Sequence, residues 1–318
     1  MQWTGVMPAL TTAFNEDLTI DYSFVARHAQ WQIENGVSGL ISLGSLSEAA
    51  TLTFDEKLRI VNTIVVAAAG KVPVIAAISA LSTTEAVELA KAVQARGAQG
   101  LMILPPYVYK GDWREMNSHV AAVLEASPLP AMLYNNPVSY GTDFLPGQIQ
   151  ELAEQYPNLK AVKESTTDVR RITAIRALMG SRLAIFVGVD DAIVEGIAAG
   201  ACGWVAGLVN ALPKESVELF NLASAGKRQE AFELYRWFLP LLRMDTVPKF
   251  IQQIKQVQHE MGTGNARTRP PRLQLVGEEL ETARAVVRQA METRPSVAAA
   301  SSPFIRHQQD SSNSARAR

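Results

Sequence analysis

The strongest constraint on the fold of this chain is an alternation that fills its first two thirds. Eight short apolar runs occupy residues 5–10, 39–43, 72–78, 101–104, 131–134, 159–163, 183–187 and 202–206. Between them lie helix-like stretches at 22–35, 55–69, 82–96, 113–126, 145–155 and 169–179. Ser82 and Thr53 stand where helix caps are needed, and Gly36, Gly70, Gly97 and Gly180 stand where helices close. Short strands that alternate with single helices imply βαβ units and a parallel sheet. Eight such units predict a closed (β/α)8 TIM barrel, an α/β fold, over residues 1–212. An open doubly wound sheet is the weaker alternative, since no glycine-rich dinucleotide fingerprint follows the first strand.

From Pro213 the strands stop. The patterns at 213–225, 228–243, 246–261 and 277–292 predict a C-terminal helical extension over 213–293, packed on the barrel and broken at Pro270-Pro271. Residues 294–318 are rich in Ser, Ala, Gln and Arg without periodicity and are expected to form a disordered tail.

Bulk composition excludes several classes of function. The 30 basic and 31 acidic side chains nearly cancel, so neither nucleic acid nor an anionic membrane is an expected partner. The same balance leaves little self-repulsion against a homo-oligomer, a tetramer or dimer. The one cysteine, Cys202, rules out an internal disulfide framework and suits a reducing compartment. The first 13 residues lack a basic segment followed by a long apolar run, and no stretch reaches the roughly 20 apolar residues of a membrane span. A cytoplasmic location is therefore expected. His28, His119, His259 and His307 show no metal-ligand spacing, and neither a metal nor a cofactor is expected.

In a (β/α)8 barrel the chemistry sits where strands end and βα loops begin. The sixth run ends at Lys163 and the fifth at Tyr134. A lysine that faces the inside of an apolar strand loses solvation for its ammonium form, so a nucleophilic amine becomes available. A tyrosine beside it is suited to moving the protons of imine chemistry. The second run leads into Gly44-Ser45-Leu46-Ser47-Glu48, where glycine allows close approach and the amides with the Ser45 hydroxyl suit a carboxylate. The seventh leads into Gly188-Val189-Asp190-Asp191 and the eighth into Gly203-Trp204-Val205-Ala206-Gly207. Taken singly, each has a plainer explanation: a solvated rim lysine, a core tyrosine, a tight turn, and Asp190 as a helix cap. Their joint appearance at successive strand ends favours a Schiff-base site that takes a small substrate bearing a carboxylate. Tyr107 and Tyr109 follow the fourth run and suit either the site or an interface, whereas Arg170-Arg171 reads as a solvated face.

Gly44-Ser45-Leu46-Ser47-Glu48, Tyr134-Asn135-Asn136-Pro137, Val162-Lys163-Glu164-Ser165 and Gly188-Val189-Asp190-Asp191 resemble, in order and spacing, the dihydrodipicolinate synthase / N-acetylneuraminate lyase superfamily. The likeness covers about residues 3–292. It implies a barrel, usually tetrameric, in which Lys163 forms an imine with a 2-oxo acid or equivalent and Tyr134 shuttles protons. It also implies that Ser45 belongs to the carboxylate loop and that Val205 packs against the lysine. Gly44, Ser45, Leu46, Ser139, Gly188 and Val205 are the expected substrate-binding residues. Three positions depart from the synthases. Ser139 stands where they carry an arginine for a second, dicarboxylic substrate. Leu46 and Ser47 occupy the middle of the carboxylate loop, and Val108 stands at their cross-subunit tyrosine. Tyr107, Tyr109 and Tyr140 are the candidates by type to replace that tyrosine.

The longer strings Tyr134–Gly141, Lys163-Glu164-Ser165-Thr166, 168–172, 203–210 and 235–237 resemble the branch of 1-pyrroline-4-hydroxy-2-carboxylate deaminases. That likeness implies dehydrating deamination to 2-oxoglutarate semialdehyde and ammonia in hydroxyproline breakdown. The alternatives are another imine-forming member, a 2-oxo acid aldolase or sugar-acid dehydratase, and a barrel that binds a ligand without turning it over.

Overall fold

Each of the eight apolar runs is a strand in the structure, a computed structural model that describes residues 1–106 and 109–296. The strands are β1 (Gly5–Pro8), β2 (Leu40–Ser42), β3 (Val74–Ile78), β4 (Gly100–Ile103), β5 (Ala131–Asn135), β6 (Leu159–Glu164), β7 (Ala184–Val187) and β8 (Gly203–Ala206). All neighbours pair in parallel, in the order β1-β8-β7-β6-β5-β4-β3-β2, and an isolated parallel bridge from Ala9 to Ile41 brings the two ends of the sheet together. Parallel strands covered on both faces need apolar side chains on both faces. That need explains why the runs are continuous rather than alternating. β3 and β4 are buried at every position.

The intervening helices are α1 (Tyr22–Glu34), α2 (Phe54–Ala68), α3 (Thr83–Ala95), α4 (Trp113–Ala126), α5 (Pro137–Tyr140), α6 (Pro146–Gln155), α7 (Arg170–Met179) and α8 (Ile193–Ala198). Their starts follow the expected chemistry: the Ser82 side chain accepts from the Glu85 amide, and Thr53 with Glu56 forms a reciprocal capping box. The short α5 was not foreseen, and it carries three residues of the cavity, Val138, Ser139 and Tyr140. The fold is therefore a (β/α)8 barrel followed by helices α9 (Pro213–Ser224), α10 (Arg228–Leu242), α11 (Phe250–Glu260) and α12 (Gly277–Glu292).

One expected helix is wrong at its start. The pattern from 246 to 261 begins only at Phe250, and residues 243–249 form a tight turn, Arg243–Asp245, followed by irregular backbone. Pro248 is the reason, because its ring disfavours helical angles at Val247. The displaced segment matters for function, since Asp245, Thr246 and Val247 line the barrel mouth.

Helix α11 lies against the loops that follow the strands. Its Gln258 accepts from Thr11 Oγ1 at 2.8 Å and donates to the Asn210 carbonyl at 3.3 Å, while Asn210 Nδ2 donates to the Ala9 carbonyl at 2.8 Å. Lys255, on the same helix, donates to Glu48 Oε1 at 2.7 Å and to the Thr12 carbonyl at 2.8 Å. The extension is thus fastened to the loops after β1, β2 and β8. Tyr107, Val108 and the expected tail beyond Ser296 lie outside the described residues. Among the described residues no helix is long and apolar enough to cross a membrane.

Candidate active site

The register of β5 on β6 places Tyr134 directly beside Lys163. Parallel partners face the same side of a sheet, so both side chains enter the barrel, and both are buried. Lys163 Nζ sits 4.1 Å from the centre of the Tyr134 ring, on its face, where the π electrons favour a cation. Burial nevertheless dominates and lowers the Lys163 pKa to about 8, with Asp245 and Asp190 pulling the other way. A usable fraction of free amine therefore exists near neutral pH.

Burial pushes the Tyr134 hydroxyl up to about 12, so it rests as a neutral phenol that accepts from Asn136 Nδ2 at 2.9 Å. Its proton remains available to donate. The Tyr140 ring meets the Tyr134 ring edge to face, with centres 5.8 Å apart. The Tyr140 hydroxyl shares a short hydrogen bond with Ser45 Oγ. The Ser45 side chain also reaches the Tyr134 hydroxyl, so three hydroxyls from β5, α5 and the loop after β2 meet within one chain. Tyr109 points elsewhere: it is exposed and donates to Glu115 at 3.2 Å.

These groups open on a cavity of about 460 Å³, within the size range of small-ligand sites. All eight residues expected at the site, Lys163, Tyr134, Gly44, Ser45, Leu46, Ser139, Gly188 and Val205, line it. Among the described residues the backbone amides of Ser45 and Leu46 donate to no protein acceptor, whereas the next two, of Ser47 and Glu48, close a turn onto Gly44 and Ser45. Two adjacent unpaired donors at a cavity wall have the chemistry to hold an anion. Ser139 is exposed at the rim, held by its amide to Asn136 Oδ1 at 3.0 Å.

Gly188 acts on the lysine. A Cβ there would lie 1.9 Å from Ser165 Oγ and 2.7 Å from Lys163 Cε, so only glycine leaves room for the amine. Asp190 does not cap the helix after β7. Its carboxylate instead accepts from Trp204 Nε1 at 3.0 Å, the Gly207 amide at 3.1 Å and the Leu208 amide at 2.8 Å, which ties the β7 loop to the end of β8. Arg170 is exposed and pairs with Asp168, as a solvated residue does. Arg171 is a fixed tie to Asp143 and to the Phe144 carbonyl.

Two charged cavity residues escaped the sequence reading. Asp245 falls in the two-residue gap between the patterns at 228–243 and 246–261, where no motif singles it out. Arg272 lines the mouth from the crossing between α11 and α12, where no periodic pattern marks it. Among the described residues no group of three or more His, Cys, Asp or Glu is placed to hold a metal ion.

The model of the dihydrodipicolinate synthetase family matches residues 2–290. The chain is 33% identical over 290 residues to a 4-hydroxy-tetrahydrodipicolinate synthase of Methylococcus capsulatus, covering 90% of this chain and 98% of that protein. It is 32% identical over 267 residues to another of Agrobacterium fabrum, covering 84% and 91%. The crystal structure of the chloride-inhibited dihydrodipicolinate synthase from Acinetobacter baumannii with pyruvate superposes at a TM-score of 0.87 and 30% identity, covering 91% of this chain and 99% of that one. The enzyme of Aquifex aeolicus superposes at 0.87 and 27% identity, covering 90% and 98%.

Proposed function

The chain belongs to the dihydrodipicolinate synthetase family, and on that premise we propose that it is a lyase that forms an imine between Lys163 and a small 2-oxo acid or its cyclic imine equivalent. One observation carries this reading: a buried, pKa-lowered amine in a cavity, with a neutral phenol against it and two unpaired backbone amides in the same lining. In the proposed cycle the amides of Ser45 and Leu46 hold the carboxylate and fix the carbonyl carbon over Nζ. Tyr134 moves protons through Ser45 and Tyr140, so the relay needs no hydroxyl from a second subunit.

Within that class we favour 1-pyrroline-4-hydroxy-2-carboxylate as substrate. Neutral Lys163 attacks C2, and the ring opens to a lysine imine with a free amine at C5. The protonated imine draws electrons from C3, whose proton leaves to a water or to Tyr134, which has by then given its own proton to the departing ring nitrogen. The enamine then expels the C4 hydroxyl as water. Tautomerisation carries the unsaturation to C5, and hydrolysis releases ammonia and 2-oxoglutarate semialdehyde. The exposed Ser139 supports a substrate with one carboxylate, since a second one has no arginine to meet at that position. The names of the relatives favour a second reading, a synthase or aldolase that takes pyruvate.

Borohydride reduction with the pyrroline and, separately, with pyruvate separates them. A reduced adduct on Lys163 with the pyrroline, and ammonia release without borohydride, are the expected results. Labelling by pyruvate alone, with formation of 4-hydroxy-tetrahydrodipicolinate or pyruvate release from a 2-keto-3-deoxy acid, would establish the second reading. The relay has its own test. Tyr140→Phe is expected to lower kcat by about 10²-fold, the lower range for loss of a proton-transfer group, while borohydride labelling persists. Unchanged kcat would remove Tyr140 from the path.

A further inference from the structure

We propose that Asp245 is the acid that protonates the hydroxyl departing from C4, an assignment that rests on the dehydrating reading above. Elimination from the enamine requires a proton on that oxygen, because hydroxide is a poor leaving group. Tyr134 is engaged at C3, and Lys163 is committed to the imine. A third proton carrier is needed on the cavity wall.

Asp245 meets that need by position. It comes from the turn Arg243–Asp245, outside the barrel strands, and it lines the same cavity as Lys163. Its Oδ1 is buried and has no hydrogen-bond partner among the described residues. A buried carboxyl oxygen without a partner is costly, and it is found where a ligand or a reaction supplies the partner. Gly207 is shaped around it: a Cβ at 207 would lie 2.1 Å from Asp245 Oδ1. The neighbouring Asp190 is the contrast. Three N–H donors bind its carboxylate and keep it as a fixed strut.

The charges that face Asp245 favour its acid form. Burial acts first, Asp190 adds to it and Asp191 adds less, while Lys163 opposes them, and the result lies well above the usual carboxylate range. Arg243 on the same turn is drawn to Asp191, 3.5 Å away. A neutral carboxylic acid at neutral pH is a competent donor. In the step itself, the Asp245 proton passes to the C4 oxygen and the C4–O bond breaks with its electron pair on oxygen. The C2=C3 pair of the enamine becomes C3=C4, and the nitrogen lone pair restores the C2 iminium. Water leaves, Asp245 is left as carboxylate, and solvent returns its proton before the next turnover.

The test compares leaving groups. Fluoride departs without prior protonation, so 4-fluoro-1-pyrroline-2-carboxylate bypasses the acid. Asp245→Asn is expected to slow ammonia release from the 4-hydroxy substrate by about 10²–10⁴-fold, to leave the fluoro compound within a few-fold of the parent enzyme, and to keep borohydride labelling of Lys163. Equal losses on both substrates, or no loss on either, would overturn the assignment. Should Asp245→Asn fold poorly, the unmodified enzyme decides the matter: kcat for the hydroxy substrate must fall at alkaline pH as the acid ionises, and kcat for the fluoro substrate must not. Matching alkaline limbs would overturn it. Absence of ammonia from the unmodified enzyme with either compound would instead defeat the dehydrating reading, and the acid with it.

Discussion

Lys163→Met is expected to abolish turnover and borohydride labelling while making the protein harder to melt. The first effect follows from removal of the nucleophile, for which a loss on the order of 10⁴-fold or more in kcat is the usual scale. The second follows from the site's electrostatics. Folding lowers the Lys163 pKa from 10.5 to about 8, mainly by desolvation. For a lysine with a depressed folded pKa, the unfolded state binds the extra proton, so stability rises with pH across the window between the two values. Below about pH 8 the penalty is fully present, and above the unfolded value it is gone. Methionine fills the same volume without a charge, so at pH 7 it should stabilise the fold on the order of 1–3 kcal/mol, a rise in Tm of about 2–6 °C. The gain must shrink as the pH is raised from 7 to 10. A variant that melts lower than the parent at pH 7 would show that the amine is not held at the cost of stability.

The sequence revealed the parts of this site that strands deliver. Tyr134 and Lys163 end continuous apolar runs, and a buried parallel strand has few reasons to end in a lysine. Gly44, Gly188 and Val205 were legible for the same reason, since strand ends are where a barrel keeps its chemistry. Three contributions were harder to read. Tyr140 reaches Ser45 only because Pro137 starts a one-turn helix that folds back over the mouth, a geometry decided by four residues. Asp190 had the right residue type and an offered role, but its carboxylate reaches across to β8, and tertiary placement of this kind leaves no local pattern. Asp245 and Arg272 come from connections in the extension, where helical periodicity says nothing about which turn dips into the barrel.

Glu48 closes the carboxylate-loop motif, yet the structure gives it a different partner from the substrate. Its side chain and that of Lys255 are almost wholly buried, 0% and 1% exposed, with 2.7 Å between Oε1 and Nζ. The Arg269 amide donates to Glu48 Oε2 at 2.9 Å, and Lys255 also donates to the Thr12 carbonyl at 2.8 Å over the Phe14 ring. This pair joins the loop that carries the Ser45 and Leu46 amides to α11, so the extension and those amides hold each other in place. Removing one partner leaves the other charge buried and alone, a loss of about 3–5 kcal/mol, whereas removing both charges together is often close to neutral. Lys255→Met should therefore lower stability in urea unfolding by about that amount. Adding Glu48→Gln to Lys255→Met should restore most of the stability, with a coupling energy on the order of 2 kcal/mol in the double-mutant cycle. Because those amides are only as rigid as their anchor, KM for a carboxylate substrate should rise in the single variant, and rise less in the double. Additive losses in the cycle would mean that the two charges are independent, and that α11 is held to the barrel by its apolar face alone.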